Sequence, residues 1–147
     1  TYGHAHETNV GEAHLILSNK CFLILSDRKT YETFIIQLKK GEFVYIHPRF
    51  LHRSVSYDKD CLLITFAPEK AGHNYLAVKG KGFPFHIFYD KKRKKIEIKK
   101  NENYKKGKYK LVKKVKCKLN PLKLLIKNPE KLKDILENPE KYKRIYF

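Results

Sequence analysis

The chain of 147 residues has no methionine, no apolar run of about eighteen residues and no basic-then-apolar leader. The missing run excludes a transmembrane helix. The absence of methionine means that the chain does not open at a natural start codon, so its front part is expected to be truncated. Cysteine is scarce as well. Cys21, Cys61 and Cys117 are odd in number, widely spaced and form no CxxC pair. They exclude a disulfide framework and a cysteine-ligated zinc site, and point to reduced thiols in a cytoplasmic setting. Acidic charge is scarce at one end only. Residues 1–90 carry 11 Lys/Arg and 9 Asp/Glu, a net of +2, whereas residues 91–147 carry 22 and 6, a net of +16. Tyr104 and Tyr109 lie among the lysines of this tail, as in some phosphate-binding surfaces. Arginine is nearly absent there, however, and no nucleic-acid-binding motif is visible. The tail therefore reads as solvated surface, and a nucleic-acid partner is not expected. Lys79-Gly80-Lys81-Gly82 lacks the spacing of a phosphate loop and reads as a turn.

What is present from residue 14 onward is a series of short apolar runs separated by turn chemistry. Strands are expected at 14–17, 21–25, 31–38, 42–46, 52–57, 61–66, 83–89 and 95–99. Ser18-Asn19-Lys20, Ser26-Asp27-Arg28-Lys29, Lys39-Lys40-Gly41 and Asp58-Lys59-Asp60 supply the turns. Ile96 and Ile98 alternate with charge, the pattern of an edge strand with one wet face. No helical pattern occurs before residue 100. The expected fold is all-β, a small antiparallel barrel or sandwich of eight to ten strands.

The last third changes character, which divides the chain at 1–100 and 101–147. Asn120-Pro121, Asn128-Pro129 and Asn138-Pro139 repeat one signal. Asparagine is a good N-cap and proline suits the first helical position. Three helices of about two turns, laid against the strands, are expected.

The chemistry concentrates near the start. On a strand, residues i and i+2 share a face roughly 7 Å apart, so His4 and His6 can aim two imidazoles at one ion. Glu12 can add a carboxylate, and His52 is the best placed of the distant histidines to complete the set. Imidazoles with one carboxylate suit Fe, Mn, Ni or Zn and leave a position for an exchangeable ligand. Glu7 is the alternative carboxylate, but it follows His6 directly and should face the other way. His14 reads either as a pocket residue or as a half-buried strand residue. His47 and His86 read as structural.

Gly41, then His47-Pro48, then His52 sets out a turn glycine, a strand, a proline bend and a histidine in order. This resembles the second cupin motif, and Gly3-His4-Ala5-His6 with Glu12 resembles the first. Leu51-His52-Arg53-Ser54-Val55-Ser56, Ala71-Gly72-His73-Asn74-Tyr75 and Lys81-Gly82-Phe83 complete a resemblance to the archaeal cupin-type glucose-6-phosphate isomerases over residues 1 to about 100. The resemblance implies a jelly-roll-like cupin β-barrel, with the tail as a short α-helical C-terminal extension. It implies one divalent metal, iron first and manganese, nickel or zinc as neighbours, held by His4, His6, Glu12 and His52. It also implies that Thr1 and Gly3 help hold the phosphate of a hexose 6-phosphate, and that His14 and His73 line the substrate pocket. Glu12 and His73 would be the catalytic pair, interconverting glucose 6-phosphate and fructose 6-phosphate in glycolysis and gluconeogenesis. A homodimer is implied too. The chain departs from the family where His14 and Ala67 replace two tyrosines of the substrate pocket. The alternative implied by those departures is a cupin that binds metal or sugar phosphate without turning it over.

Overall fold

The structure, a computed structural model, describes residues 2–56, 59–115 and 117–147. The first sheet contains β1 (Glu12–Ile16) between β4 (Phe43–Ile46) and β6 (Leu63–Phe66), all antiparallel. The second has the order β5 (Phe50–Ser56), β2 (Lys20–Asp27), β3 (Thr33–Lys39) and β9 (Tyr109–Val112). The third is the hairpin of β7 (Phe85–Asp90) and β8 (Lys95–Lys100). The expected all-β class holds, although the sheets are mixed rather than wholly antiparallel. β9 was not expected as a strand, and it joins β3 in parallel. Its residues are mostly exposed, which leaves little hydrophobic signal in the sequence. The expected strand end at Tyr57 and turn residue Asp58 lie outside the described residues.

Strand alternation sorts the side chains. Ile16, Val44 and Ile46 of the first sheet share one core with Cys21, Leu23, Leu25, Ile36, Leu38 and Phe50 of the second. The two sheets therefore face each other across this layer. Asn19, at φ 58°, takes the left-handed position of the β1–β2 turn, which a short polar side chain tolerates. On β8, Ile96 and Ile98 are half-buried while their neighbours are exposed, as the alternation requires.

The tail closes over the outer face of the first sheet. Helices α1 (Pro121–Lys127) and α2 (Pro129–Glu137) each begin with an asparagine whose side chain accepts a backbone N–H, with proline at the next position. The third Asn-Pro signal yields turns instead of the expected helix. Asn138 Nδ2 donates backward to Asp134, at 2.8 Å from Oδ1, so its side chain closes the end of α2 rather than capping a new helix. Leu132, Ile135 and Leu136 of α2 pack with Ala13, Leu15 and Tyr45 of the sheet and with Tyr146. No described helix is long and apolar enough to cross a membrane.

The strand that carries Glu12 is tied to this tail at Gly11. Its N–H donates to the Leu136 carbonyl at 2.7 Å, and the Tyr146 ring lies directly over its Cα. A Cβ at residue 11 would come within 2.4 Å of the Tyr146 hydroxyl oxygen and two atoms of its ring. The Tyr146 hydroxyl is itself held, donating to the Ile135 carbonyl at 2.7 Å. Gly11→Ala should therefore lower stability by about 1–3 kcal/mol in urea unfolding, since either the ring or the strand must move. An unchanged unfolding midpoint would mean that the tail does not clamp this strand.

Candidate metal centre

Three separate pieces of chain bring the functional side chains together. Glu12 and His14, two apart on β1, share the face turned toward the second sheet. His52 comes from β5, where it pairs with Leu25 of β2. His4 and His6 come from the N-terminal segment, which does not form the regular strand expected of it. Instead His4 makes a single antiparallel bridge to His52 and Ala5 makes one to Asn74. His4 and His52 exchange both backbone bonds, at 3.1 and 2.9 Å, so the two histidines farthest apart in sequence are locked side by side.

His4, His6, Glu12 and His52 each offer one ligand atom, all within 4.8 Å of one another. Glu12 is 3% exposed, and three imidazoles surround its carboxylate. His6 Nε2 lies 3.0 Å from Oε2, His14 Nε2 contacts Oε1, and His52 Nε2 stands 3.5 Å from Oε1. Glu7 is exposed and lies over Gly72, outside the cluster. His14 is a buried rather than half-buried strand residue, and it lies on the wall of the cavity.

The electrostatics follow from burial and from Glu12. Burial would raise the Glu12 pKa, but the imidazoles around it, His14 first and then His52 and His6, outweigh it and hold the carboxyl far below the usual range. His4 is lowered to about 4, by burial first and then by His52. Burial also lowers His52, against the opposing pull of Glu12. Both rings are therefore neutral at pH 7, the form that binds metal. His6 goes the other way. Burial lowers its pKa, yet its bonds to Glu12 and to the Val10 carbonyl together raise it. His6 Nδ1 donates to that carbonyl at 2.6 Å, which fixes the tautomer and turns Nε2 toward the cluster.

A divalent ion fits these residues. His4 Nε2 and both ring nitrogens of His52 are buried without a hydrogen-bond partner among the described residues. Such orphaned atoms cost roughly 1–3 kcal/mol each, a penalty that one bound cation removes for His4 Nε2 and for one nitrogen of His52. Three imidazoles and a carboxylate are also the donor set of Fe, Mn, Ni or Zn sites with an exchangeable position.

The cluster opens into a cavity of about 690 Å³ lined by Gly3, His4, Glu12, His14, His52 and His73, among others. The His73 ring is 4.4 Å from His4 and stacks on Tyr75 at 5.9 Å. Of the other expected substrate residues, Thr1 lies outside the described residues. Ala67 lines a different groove, against α2. His47 pairs with Glu140 at 3.1 Å, away from the cluster. Arg53, Ser54, Thr65 and Tyr75 also line the cavity but were given no role from sequence. Ser54 was within reach of the two-residue period from His52. Arg53 was not, since that period assigns it to the opposite face.

A family model described as Glucose-6-phosphate isomerase (GPI) matches residues 1–105. No curated protein matches the chain in sequence.

Metal binding should depend on pH through His6. In the metal-free chain its raised pKa makes the ring hold its proton to higher pH than an ordinary imidazole, and Nε2 must lose that proton to take an ion. Affinity should therefore rise with pH through the neutral region, by roughly tenfold per unit while the His6 proton is being displaced, and level off above the His6 pKa. Calorimetry in buffers of different ionisation enthalpy would read the released proton. An affinity flat from about pH 5.5 to 8 would exclude His6 as a ligand.

Proposed function

The chain belongs to the glucose-6-phosphate isomerase family, and from that premise we propose that it is a metal-dependent aldose–ketose isomerase. Its reaction would interconvert glucose 6-phosphate and fructose 6-phosphate, a step shared by glycolysis and gluconeogenesis. The observation that carries the proposal is the cluster of three imidazoles and one carboxylate on the wall of a cavity of about 690 Å³. That volume lies in the range of small-molecule sites.

In this reading His4, His6, Glu12 and His52 hold one divalent ion, iron first and manganese, nickel or zinc as alternatives. When bound, such an ion polarises a carbonyl and its neighbouring hydroxyl and so acidifies the proton to be moved. Glu12, ionised in the folded chain, takes up that proton from C2 and returns it at C1 as general base and acid. The His14 contact orients its Oε1 for this. His73, stacked on Tyr75 and next to His4, holds the sugar chain across the cavity. Thr1 and Gly3 complete the contacts to substrate. Residues 1–100 carry the chemistry and residues 101–147 brace it from outside. A homodimer and a cytoplasmic setting belong to the same proposal.

A second reading is a cupin that binds metal and sugar phosphate without turnover. It is favoured by the engagement of both Glu12 oxygens by histidines, which leaves neither free in the metal-free chain.

Metal content and hexose-phosphate isomerase activity measured together on the native chain and on His52→Ala decide between them. The expected result is about one ion per chain, with both ion and activity lost in the variant by at least about 100-fold. Metal without interconversion of the two hexose phosphates would leave the binding-only cupin. No metal in the native chain would remove both readings.

A further inference from the structure

Two of the three free cysteines stand on the cavity wall, at a distance from the metal cluster. Cys21, on β2, and Cys61, in the segment that enters β6, both line it. Both pack in the core between the two sheets, while Cys117 packs with α2 on the outer face of the first sheet. Cys21 is four residues along β2 from Leu25, the partner of His52. At about 3.3 Å per residue, it lies roughly 13 Å along the strand from the level of the cluster.

Hydrogen bonds fix the two cysteines relative to each other. The Leu62 carbonyl accepts from the N–H groups of Leu17 and Ser18, at 2.8 and 3.2 Å. The Leu62 N–H donates to Ser18 Oγ at 3.1 Å, and Asn19 Nδ2 donates to the Asp60 carbonyl at 2.6 Å. Residues on both sides of Cys61 are therefore bound to the turn that leads into Cys21. The side chains meet there as well. Burial first, and the neighbouring Cys61 thiol next, push the Cys21 pKa up to about 12. Cys21 is 1% exposed, whereas Cys61 is half-buried. One thiol within reach of solvent beside one sealed from it is the arrangement of an attacking and a resolving cysteine.

We propose that Cys21 and Cys61 form a redox pair whose disulfide ties β2 to the entry of β6 and so cross-links the two sheets at the cavity wall. The inference does not depend on the reaction performed at the metal cluster. The oxidant is a small-molecule disulfide. Cys61, as the thiolate, attacks one of its sulfurs, the S–S bond breaks and one small thiol leaves. Cys21 then gives up its proton and attacks the Cys61 sulfur of the mixed disulfide, expelling the second small thiol. The two protein thiols have lost two electrons and two protons, and the small disulfide has been reduced to two thiols. Burial makes Cys21 a reluctant thiolate and, for the same reason, a poor leaving group. The cross-link is therefore slow to close and holds once closed.

The test equilibrates the zinc-loaded full chain with oxidised and reduced glutathione, zinc having no redox chemistry of its own. Free thiols, joined peptides, zinc content and thermal unfolding are then measured on the native chain, Cys61→Ser and Cys117→Ser. The native chain should fall from three free thiols to one, with the peptides of Cys21 and Cys61 joined and zinc content unchanged. Cys117→Ser should form the same link. The unfolding midpoint of both should rise by about 5–15 °C and return with dithiothreitol. Cys61→Ser should show no link and no rise. Glutathione held on Cys61 without transfer to Cys21, a link made through Cys117, or three thiols that all survive the oxidant would each overturn the inference.

Discussion

A carboxylate that is almost wholly removed from water is the constraint on which the rest of this molecule depends. Desolvating Glu12 alone would be prohibitive, and the chain answers it with donors from three directions. His14 comes from the same strand, His52 from the facing sheet and His6 from the segment that crosses between them. The arrangement works in both directions. The carboxylate tolerates burial because the imidazoles surround it, and His6 holds its proton more firmly because the carboxylate and the Val10 carbonyl are there. A divalent cation in place of that proton still answers the carboxylate, and it also satisfies His4 Nε2 and one of the two orphaned nitrogens of His52.

The scaffold keeps this cluster in register by means that lie outside it. The reciprocal backbone pair between His4 and His52 ties the N-terminal segment to the second sheet. On the other side, Leu136 and Tyr146 grip Gly11, the residue before Glu12. These two residues lie beyond the region matched by the family model, which ends at residue 105. The lysine-rich tail therefore does more than carry charge. Its buried face braces the strand that presents the carboxylate.

Much of the fold was legible because strand alternation and turn residues are local signals. The runs around Cys21–Leu25 and Phe43–Ile46 declare their burial through their own residues. β9 did not, since Tyr109–Val112 gains its pairing from β3, some seventy residues earlier, rather than from a hydrophobic pattern of its own. Asn138 shows the opposite failure. Its sequence signal for a helix start is as good as those of Asn120 and Asn128, but Asp134 captures its side chain first. The histidine cluster was legible in its membership, from spacing and from the family resemblance. Its geometry was not, because only isolated bridges at His4 and Ala5, and none at His6, stand where spacing suggested a strand.

By itself the sequence determined the residue types and their local periods: an all-β chain, two capped helices, and histidines and a glutamate in an order suited to a metal. Those properties depend on neighbours a few positions away, which any reader of the chain can see. Tertiary structure alone decided that Glu12 is held ionised, that the pKa values of His4 and His6 shift in opposite directions, and that Arg53 lies over the Phe83 ring. Each of these depends on burial and on charges brought from distant segments. Desolvation and Coulomb energy act through space and leave no mark on the order of residues along the chain.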